Sequence, residues 1–93
     1  MQQELIDALA KYIGVLTEGA SRTSRAEDRL LYTKHLAEAA IVFTLIHQDA
    51  PPQQVRDKVV QERRAFGWGY LSGSEGEAAE AAFQEFAKLV DGE

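Results

Sequence analysis

The longest run of sequence without a glycine or proline extends from Ala20 to Ala50, and the predicted second helix occupies Ser24 to about Gln48 within it. A helix over these roughly 24 residues would be about 36 Å long, because each residue adds about 1.5 Å along the helix axis. A compact domain of 93 residues has a radius of gyration of roughly 12 Å, so such a helix spans it from end to end. We therefore expect the fold to be organised around this helix. Its apolar positions become more numerous towards its end, so we expect its second half to be surrounded by other helices.

Three other segments carry apolar residues at steps of three and four, the spacing typical of amphipathic helices. The first predicted helix runs from Met1 to about Thr17, the third starts at Pro52, and the fourth runs to Asp91. The connections are short, which favours antiparallel neighbours. The sequence thus predicts an all-α fold: a small antiparallel four-helix bundle around one long second helix, with residues 1–93 forming a single domain.

Local signals set the predicted helix ends. Gly19 is placed to cap the C-terminus of the first helix. Ser24 and Glu27 fit a capping box, in which the serine side chain accepts from the Glu27 amide and the glutamate side chain returns to the Ser24 amide. Ser74 and Glu77 repeat that spacing, so we expect the fourth helix to start there.

The end of the third helix decides where the only tryptophan points. We expect this helix to continue through Gly67 to about Tyr70 or Leu71, because Phe66 and Tyr70 extend its apolar stripe. In that arrangement Trp68 points away from the core and is available as an aromatic anchor for a partner. The alternative is that Trp68 folds back over the fourth helix as a lid on the core. The earlier members of the stripe are Val55, Val59 and Val60.

The net charge of −5 is carried by the last third of the chain. Up to Arg64 there are nine acidic and nine basic residues, whereas from Ala65 onward there are six acidic residues and one basic residue, Lys88. Nucleic acid requires a basic surface, so this distribution argues against nucleic-acid binding and favours a basic protein partner. The alternative is that the acidic residues serve solubility.

No set of residues meets the requirements of a catalytic, metal or nucleotide site. The chain has no cysteine, and its two histidines, His35 and His47, would lie about 18 Å apart along one helix, too far to share a metal. We expect His35 at the surface or at the boundary of the core. We expect Glu62 on a solvated helix face. Paired carboxylates such as Glu75 and Glu77 show no sign of the burial that acid/base catalysis requires. The sequence therefore predicts no enzymatic activity, no cofactor and no metal.

Two features bear on location. No apolar run approaches the roughly 18 to 20 residues that cross a membrane, and the start of the chain, Met1 to Glu4, lacks the basic residues of a secretory signal. The absence of cysteine favours a reducing compartment. We expect a cytoplasmic protein that does not bind membranes.

The start of the predicted second helix resembles a known family. The run Arg25–Tyr32 reads RAEDRLLY, in which Ala-Glu opens a long helix and Leu-x-Tyr follows. It is similar to the helix start of the immunity protein that neutralises a type VI secretion NAD(P)-glycohydrolase toxin. The resemblance implies a small all-helical protein that binds a cognate toxin made by the same cell and blocks its active site.

The expected partner-binding site combines the end of the third helix with the acidic fourth helix. Its residues are Trp68, Tyr70, Leu71, Glu75, Glu77 and Glu80. The expected partner is a cognate protein toxin with a basic active-site face. The alternative function is a structural or regulatory module that forms a homodimer through its alanine-rich face, which consists of Ala78, Ala79 and Ala82.

Overall fold

The computed structural model describes residues 2–67 and 73–91, with the side chains of residues 3–64 and 76–91. Over this part of the chain the structure consists of four α-helices and contains no β-strand. They are α1 (Gln2–Arg22), α2 (Ala26–His47), α3 (Pro52–Gly67) and α4 (Gly73–Asp91). The predicted all-α helical bundle is confirmed.

The helices form a ring. Within the described residues α1 packs against α2 and α4, and α3 packs against the same two helices, whereas α1 and α3 do not approach each other through their backbones, and neither do α2 and α4. Helices α2 and α3 run antiparallel, since Glu38 pairs with Lys58 while the earlier residue His35 pairs with the later residue Glu62. Because α2 and α4 both pack against α1 and α3 but not against each other, they occupy opposite corners of the ring.

An apolar core fills the centre of the ring. The predicted stripes of the first and fourth helices are confirmed, because their members are buried or partly buried against this core. Tyr12 of α1 and Phe83 of α4 are in contact, with ring centroids 5.5 Å apart. From α3, Val55 and Val59 are buried, but Val60, predicted on the same stripe, is 42% exposed.

The alanine-rich face of α4 lies inside the bundle. Ala79 and Ala82 belong to the core, and their small side chains let α1 and α4 approach closely. Only Ala78 of the three predicted contact alanines is exposed. The predicted self-association through these three alanines is therefore wrong, because Ala79 and Ala82 are already covered by other residues of the same chain.

Helix α1 continues past its predicted break and ends at Arg22, so Gly19 lies within the helix instead of capping it. Gly19 is buried, and a Cβ atom built there would lie 2.5 Å from Cε1 of Tyr32 on α2. The close approach between α1 and the ring of Tyr32 thus explains why position 19 is a glycine, whereas turn geometry does not.

The predicted capping box at the start of α2 is wrong. The residue at the N-cap is Arg25, in extended conformation, and it makes no side-chain capping hydrogen bond. The Glu27 carboxylate does not return to Ser24, because it accepts a hydrogen bond from the Arg25 guanidinium at 3.1 Å. The carboxylate of Glu27 therefore pairs with the side chain of Arg25 instead of capping the helix.

Helix α2 ends in a Schellman motif. The N–H of Ala50 donates to the carbonyl of Leu45 at 2.9 Å, and the N–H of Asp49 donates to the carbonyl of Ile46 at 3.1 Å. Asp49 has a φ of 53°, the left-handed conformation that this motif requires and that glycine usually supplies. Helix α3 then begins at Pro52, as predicted, where a missing N–H costs no helical hydrogen bond.

The second half of α2 is not surrounded by other helices, contrary to the prediction. Ile41 and Phe43 are 43% and 40% exposed, because a helix at a corner of the ring keeps one face in solvent along its length. Helix α2 has 22 residues and α1 has 21, so the two are nearly equal in length. The inward residues of α2 are Tyr32, His35, Ala39, Val42 and Ile46.

The expected extension of α3 to Tyr70 or Leu71 lies outside the described residues. Helix α4 already includes Gly73, so Ser74 lies within the helix, and the predicted capping position at Ser74 is wrong. Helix α4 extends at least to Asp91, and the predicted end at Gly92 lies outside the described residues.

Candidate functional site

The outward face of α4 carries negative charge that the rest of the described chain does not compensate. Glu77 and Glu80 are exposed and lie about one helical turn apart, and neither forms an ion pair or hydrogen bond with a described residue. The two acidic residues further along α4 are each paired with another helix: Glu85 lies 3.1 Å from Lys11, and Asp91 lies 3.0 Å from Arg63. We refer to Glu77 and Glu80 as the acidic surface of α4.

The other members of the predicted site are not placed by the structure. Trp68, Tyr70 and Leu71 lie outside the described residues, and so does the side chain of Glu75. The orientation of Trp68, whether outward or folded over α4, stays a prediction. The structure therefore places Glu77 and Glu80 on the surface, and the other four members of the site stay predictions.

A buried polar network joins three helices. The Oε2 atom of Glu62 on α3 accepts a hydrogen bond from the hydroxyl of Tyr12 on α1 at 3.0 Å, and it lies 2.8 Å from Nδ1 of His35 on α2. His35 is 1% exposed and Glu62 is 5% exposed. The predictions that His35 lies at the surface or boundary and that Glu62 lies on a solvated face are both wrong, because each side chain finds its partner inside the bundle.

The spacing of the sequence already contains a signal for this network. Glu62 follows Val55 and Val59 at steps of four and three, and His35 follows Tyr32 by three. Residues at these steps share one face of a helix, whatever their chemistry. The polar side chains of Glu62 and His35 favour solvent or the core boundary, whereas their positions point to the core.

The side chains of the network are satisfied by hydrogen bonds. Burial raises the pKa of Tyr12 above its ordinary value of 10.0, and the negative charge of Glu62 and the hydrogen bond to it raise it further, so the hydroxyl stays a donor. In the described part of the chain no buried side-chain nitrogen or oxygen lacks a hydrogen-bond partner. A satisfied buried network of this kind fixes how the helices pack against one another. Because the three side chains are buried, a substrate in solution does not reach them.

Two further properties of the described residues concern metals and membranes. Among their side chains, no group of three or more histidine, aspartate or glutamate residues is arranged to hold a metal ion. None of the helices within residues 2–67 and 73–91 combines the length and the apolar character needed to cross a bilayer.

A second exposed surface runs along α2, on the side opposite its buried residues. Leu30 is 71% exposed and Ile41 is 43% exposed. Exposed residues at steps of three and four share this face, which we call the outer face of α2. It consists of Leu30, Thr33, Ala37, Ile41 and Thr44.

Comparison of the chain with models of protein families, with curated proteins and with solved structures gives no significant match. Within the described residues, the two exposed surfaces suited to a partner are the acidic surface of α4 and the outer face of α2.

Proposed function

We propose that this chain acts by binding another protein, as an immunity protein that blocks the active site of a cognate bacterial toxin. The observation that carries the proposal is the acidic surface of α4, where the charges of Glu77 and Glu80 have no basic partner in the described residues. A basic face on a partner would supply the missing positive charge and would also speed the encounter.

The position of these two glutamates gives them little role within the isolated helix. The helix dipole stabilises acidic residues in the first turn of a helix, but the effect falls off beyond it. Because α4 begins at Gly73, Glu77 and Glu80 lie in its second and third turns. Like charges about one turn apart repel each other by a few tenths of a kcal/mol, a small cost that a basic partner would remove on binding.

The immunity role is supported by the start of α2. Helix α2 begins at Ala26, so the Ala-Glu of the run Arg25–Tyr32, which resembles that family, opens a long helix in this chain. An inhibitor of this kind needs a rigid scaffold with a charged surface and no chemistry of its own. The network of Tyr12, His35 and Glu62 supplies the rigidity, because it links three helices through one carboxylate.

Capture from cells tests whether a protein partner exists. The immobilised chain is incubated at low salt with a lysate of the organism that encodes it, and we expect one stoichiometric protein whose binding weakens as salt is added. Glu80→Lys should weaken binding by about tenfold, equivalent to about 1.4 kcal/mol. Glu4→Lys makes the same charge change at an exposed position on α1 and should bind like the unchanged chain. Failure to recover any stoichiometric protein would refute the proposal.

The activity of the captured protein tests the immunity role. We expect it to hydrolyse NAD(P) and to lose this activity when the purified chain is added in equal amount. Trp68→Ala should weaken the inhibition by roughly 2 kcal/mol or more if Trp68 is an anchor residue. A partner that binds through α4 but keeps full activity would leave the binding proposal intact and would overturn the immunity role.

A further inference from the structure

We propose that two copies of this chain associate through the outer face of α2, with the two helices antiparallel about a twofold axis at Ala37. This face holds Leu30, the most exposed of the large apolar side chains in the described residues, at 71%. Leu30 and Ile41 lie about 16 Å apart along the helix, so the apolar surface extends over several turns. A second copy of α2 has the length and the pattern to cover it.

The outer face is self-complementary in size when the two helices run antiparallel. A twofold axis at Ala37 places Leu30 of each copy opposite Thr44 of the other, and Ile41 opposite Thr33. Each large side chain then meets a small one, and the two copies of Ala37 meet at the centre, where a small residue permits the closest approach. This alternation of large and small residues is how two helices interlock.

The polar groups on this face are already satisfied, so covering them costs little. The hydroxyl of Thr33 donates to the carbonyl of Arg29 at 2.9 Å, and the hydroxyl of Thr44 donates to the carbonyl of Ala40 at 3.0 Å. A hydroxyl that is bonded within its own helix loses no hydrogen bond when water is removed from the face.

Charge selects the antiparallel arrangement. Lys34 and Glu38 both lie along the same edge of the outer face. In the antiparallel pair, Lys34 of each copy approaches Glu38 of the other and extends the existing ion pair between Glu38 and Lys58. A parallel pair would place this edge against the opposite edge of the other copy, so Lys34 and Glu38 of the two copies would not meet. One pair of helices is at the lower end of interface sizes, and we expect reversible association in the micromolar range.

This interface leaves the acidic surface of α4 free. Helices α2 and α4 occupy opposite corners of the ring, so a dimer through α2 carries its two α4 surfaces on its far sides. The inference does not rest on the proposed toxin partner, because the interface and its tests involve only this chain.

Cysteine cross-linking tests the register, since the chain has no cysteine of its own. Under mild oxidation Ala37→Cys should form a disulfide-linked dimer about tenfold or more faster than Ala81→Cys, an exposed alanine position on α4, because association raises the local thiol concentration. A mixture of Leu30→Cys and Thr44→Cys chains should cross-link to each other faster than Leu30→Cys cross-links to itself. The reverse preference would overturn the antiparallel arrangement.

Sedimentation measures the association itself. The unchanged chain should show a concentration-dependent monomer–dimer equilibrium, and Leu30→Glu should abolish it without loss of helicity, because this side chain is largely in solvent in the monomer. Val60→Glu, at an exposed apolar position on α3, should leave the equilibrium unchanged. A chain that stays monomeric at millimolar concentration, or equally fast oxidation of the Ala37→Cys and Ala81→Cys variants, would overturn the proposal, even if a different protein were found to occupy the face.

Discussion

The carboxylate of Glu62 lies 2.8 Å from Nδ1 of His35, in the interior of the bundle and on a different helix. The same oxygen accepts the hydroxyl of Tyr12 from a third helix. Buried groups of this kind are strongly interdependent, because a polar atom that loses its partner inside a protein is not compensated by water. The relationship leads to three predictions about stability.

Replacing Glu62 by leucine removes the acceptor that the Tyr12 hydroxyl and the His35 ring share and puts an apolar side chain in its place. We expect Glu62→Leu to lower the free energy of unfolding by about 3 to 5 kcal/mol. Glu62→Gln keeps one acceptor oxygen at the same position, so its loss should be smaller, about 1 to 2 kcal/mol. Urea unfolding of both variants measures the difference. Equal stability of Glu62→Leu and the unchanged chain would contradict the network.

Replacing all three residues together should be far less harmful than replacing Glu62 alone. In Tyr12→Phe/His35→Leu/Glu62→Leu the three polar groups of the network are removed together, so none of the three is left facing an apolar replacement of another. Such exchanges of buried ionic networks are often neutral or stabilising by about 1 to 4 kcal/mol. We expect unfolding in urea at or above the concentration needed for the unchanged chain. A triple variant less stable than Glu62→Leu would show that the polar contacts themselves stabilise the fold.

Stability should fall at alkaline pH because of Tyr12. Burial, the charge of Glu62 and the hydrogen bond to it raise the pKa of Tyr12 above 10.0, whereas the unfolded chain releases this proton near 10.0. Above that pH the folded state binds more protons than the unfolded state, so the free energy of unfolding decreases as pH rises. The stabilising effect is complete below about pH 10 and is lost above it at up to about 1.4 kcal/mol per pH unit.

Tyr12→Phe is the control for this pH dependence. The variant has no phenol to titrate at this position, so its unfolding free energy should vary less between about pH 9 and 11. Urea unfolding at several pH values measures both slopes. Identical slopes for the two chains would exclude Tyr12 as the titrating group.

Two glycines of α1 should respond in opposite ways to the same substitution. Apart from the adjoining backbone of α1, no atom lies within 4 Å of a Cβ built on Gly14, so Gly14→Ala should stabilise the helix by about 0.5 to 1 kcal/mol. A Cβ on Gly19 would lie 2.5 Å from the ring of Tyr32, so Gly19→Ala should destabilise by about 1 to 3 kcal/mol. Thermal unfolding separates them, since 1 kcal/mol shifts the midpoint by about 4 to 8 °C in a domain of this size. A higher midpoint for both variants would argue against the close contact at Gly19.

The end of α2 offers a stabilising substitution. Asp49 holds the left-handed position of the Schellman motif, which costs about 1 to 2 kcal/mol for residues with a Cβ and little for glycine. We expect Asp49→Gly to raise the free energy of unfolding by about 0.5 to 1 kcal/mol. Asp49→Asn should change little, because asparagine also tolerates this conformation, whereas Asp49→Val should destabilise. Urea unfolding gives the order, and a valine variant as stable as the glycine variant would disagree with the motif.

Sequence reasoning succeeded where spacing and chemistry agree. The stripes of α1 and α4, with residues such as Leu9, Leu16, Phe83 and Phe86, are both periodic and apolar, and all four of these side chains are buried. Proline likewise marks the start of α3, because its fixed backbone angle suits a first helical turn. These features depend on local sequence only.

It failed where a residue's role depends on a distant neighbour. Glu62 has the spacing of a core residue and the chemistry of a surface residue, and only the donors from two other helices resolve the conflict. Gly19 fits a helix cap on sequence alone, and its true constraint is a ring on the next helix. The exposed side of α2 was missed for a related reason: the numerous apolar positions in the second half of this helix indicate burial, whereas the ring of helices leaves one side of it open.

The shared acceptor of Glu62 also imposes an order on how this sequence can change over time. Tyr12 can become phenylalanine in one step, because Glu62 then still has His35 as its partner. His35 can likewise be replaced while Tyr12 still donates to Glu62. Glu62 has no such single-step exit, since its loss removes the acceptor that two other helices share. Descendants of this chain should therefore change one of the two donors first and the glutamate last.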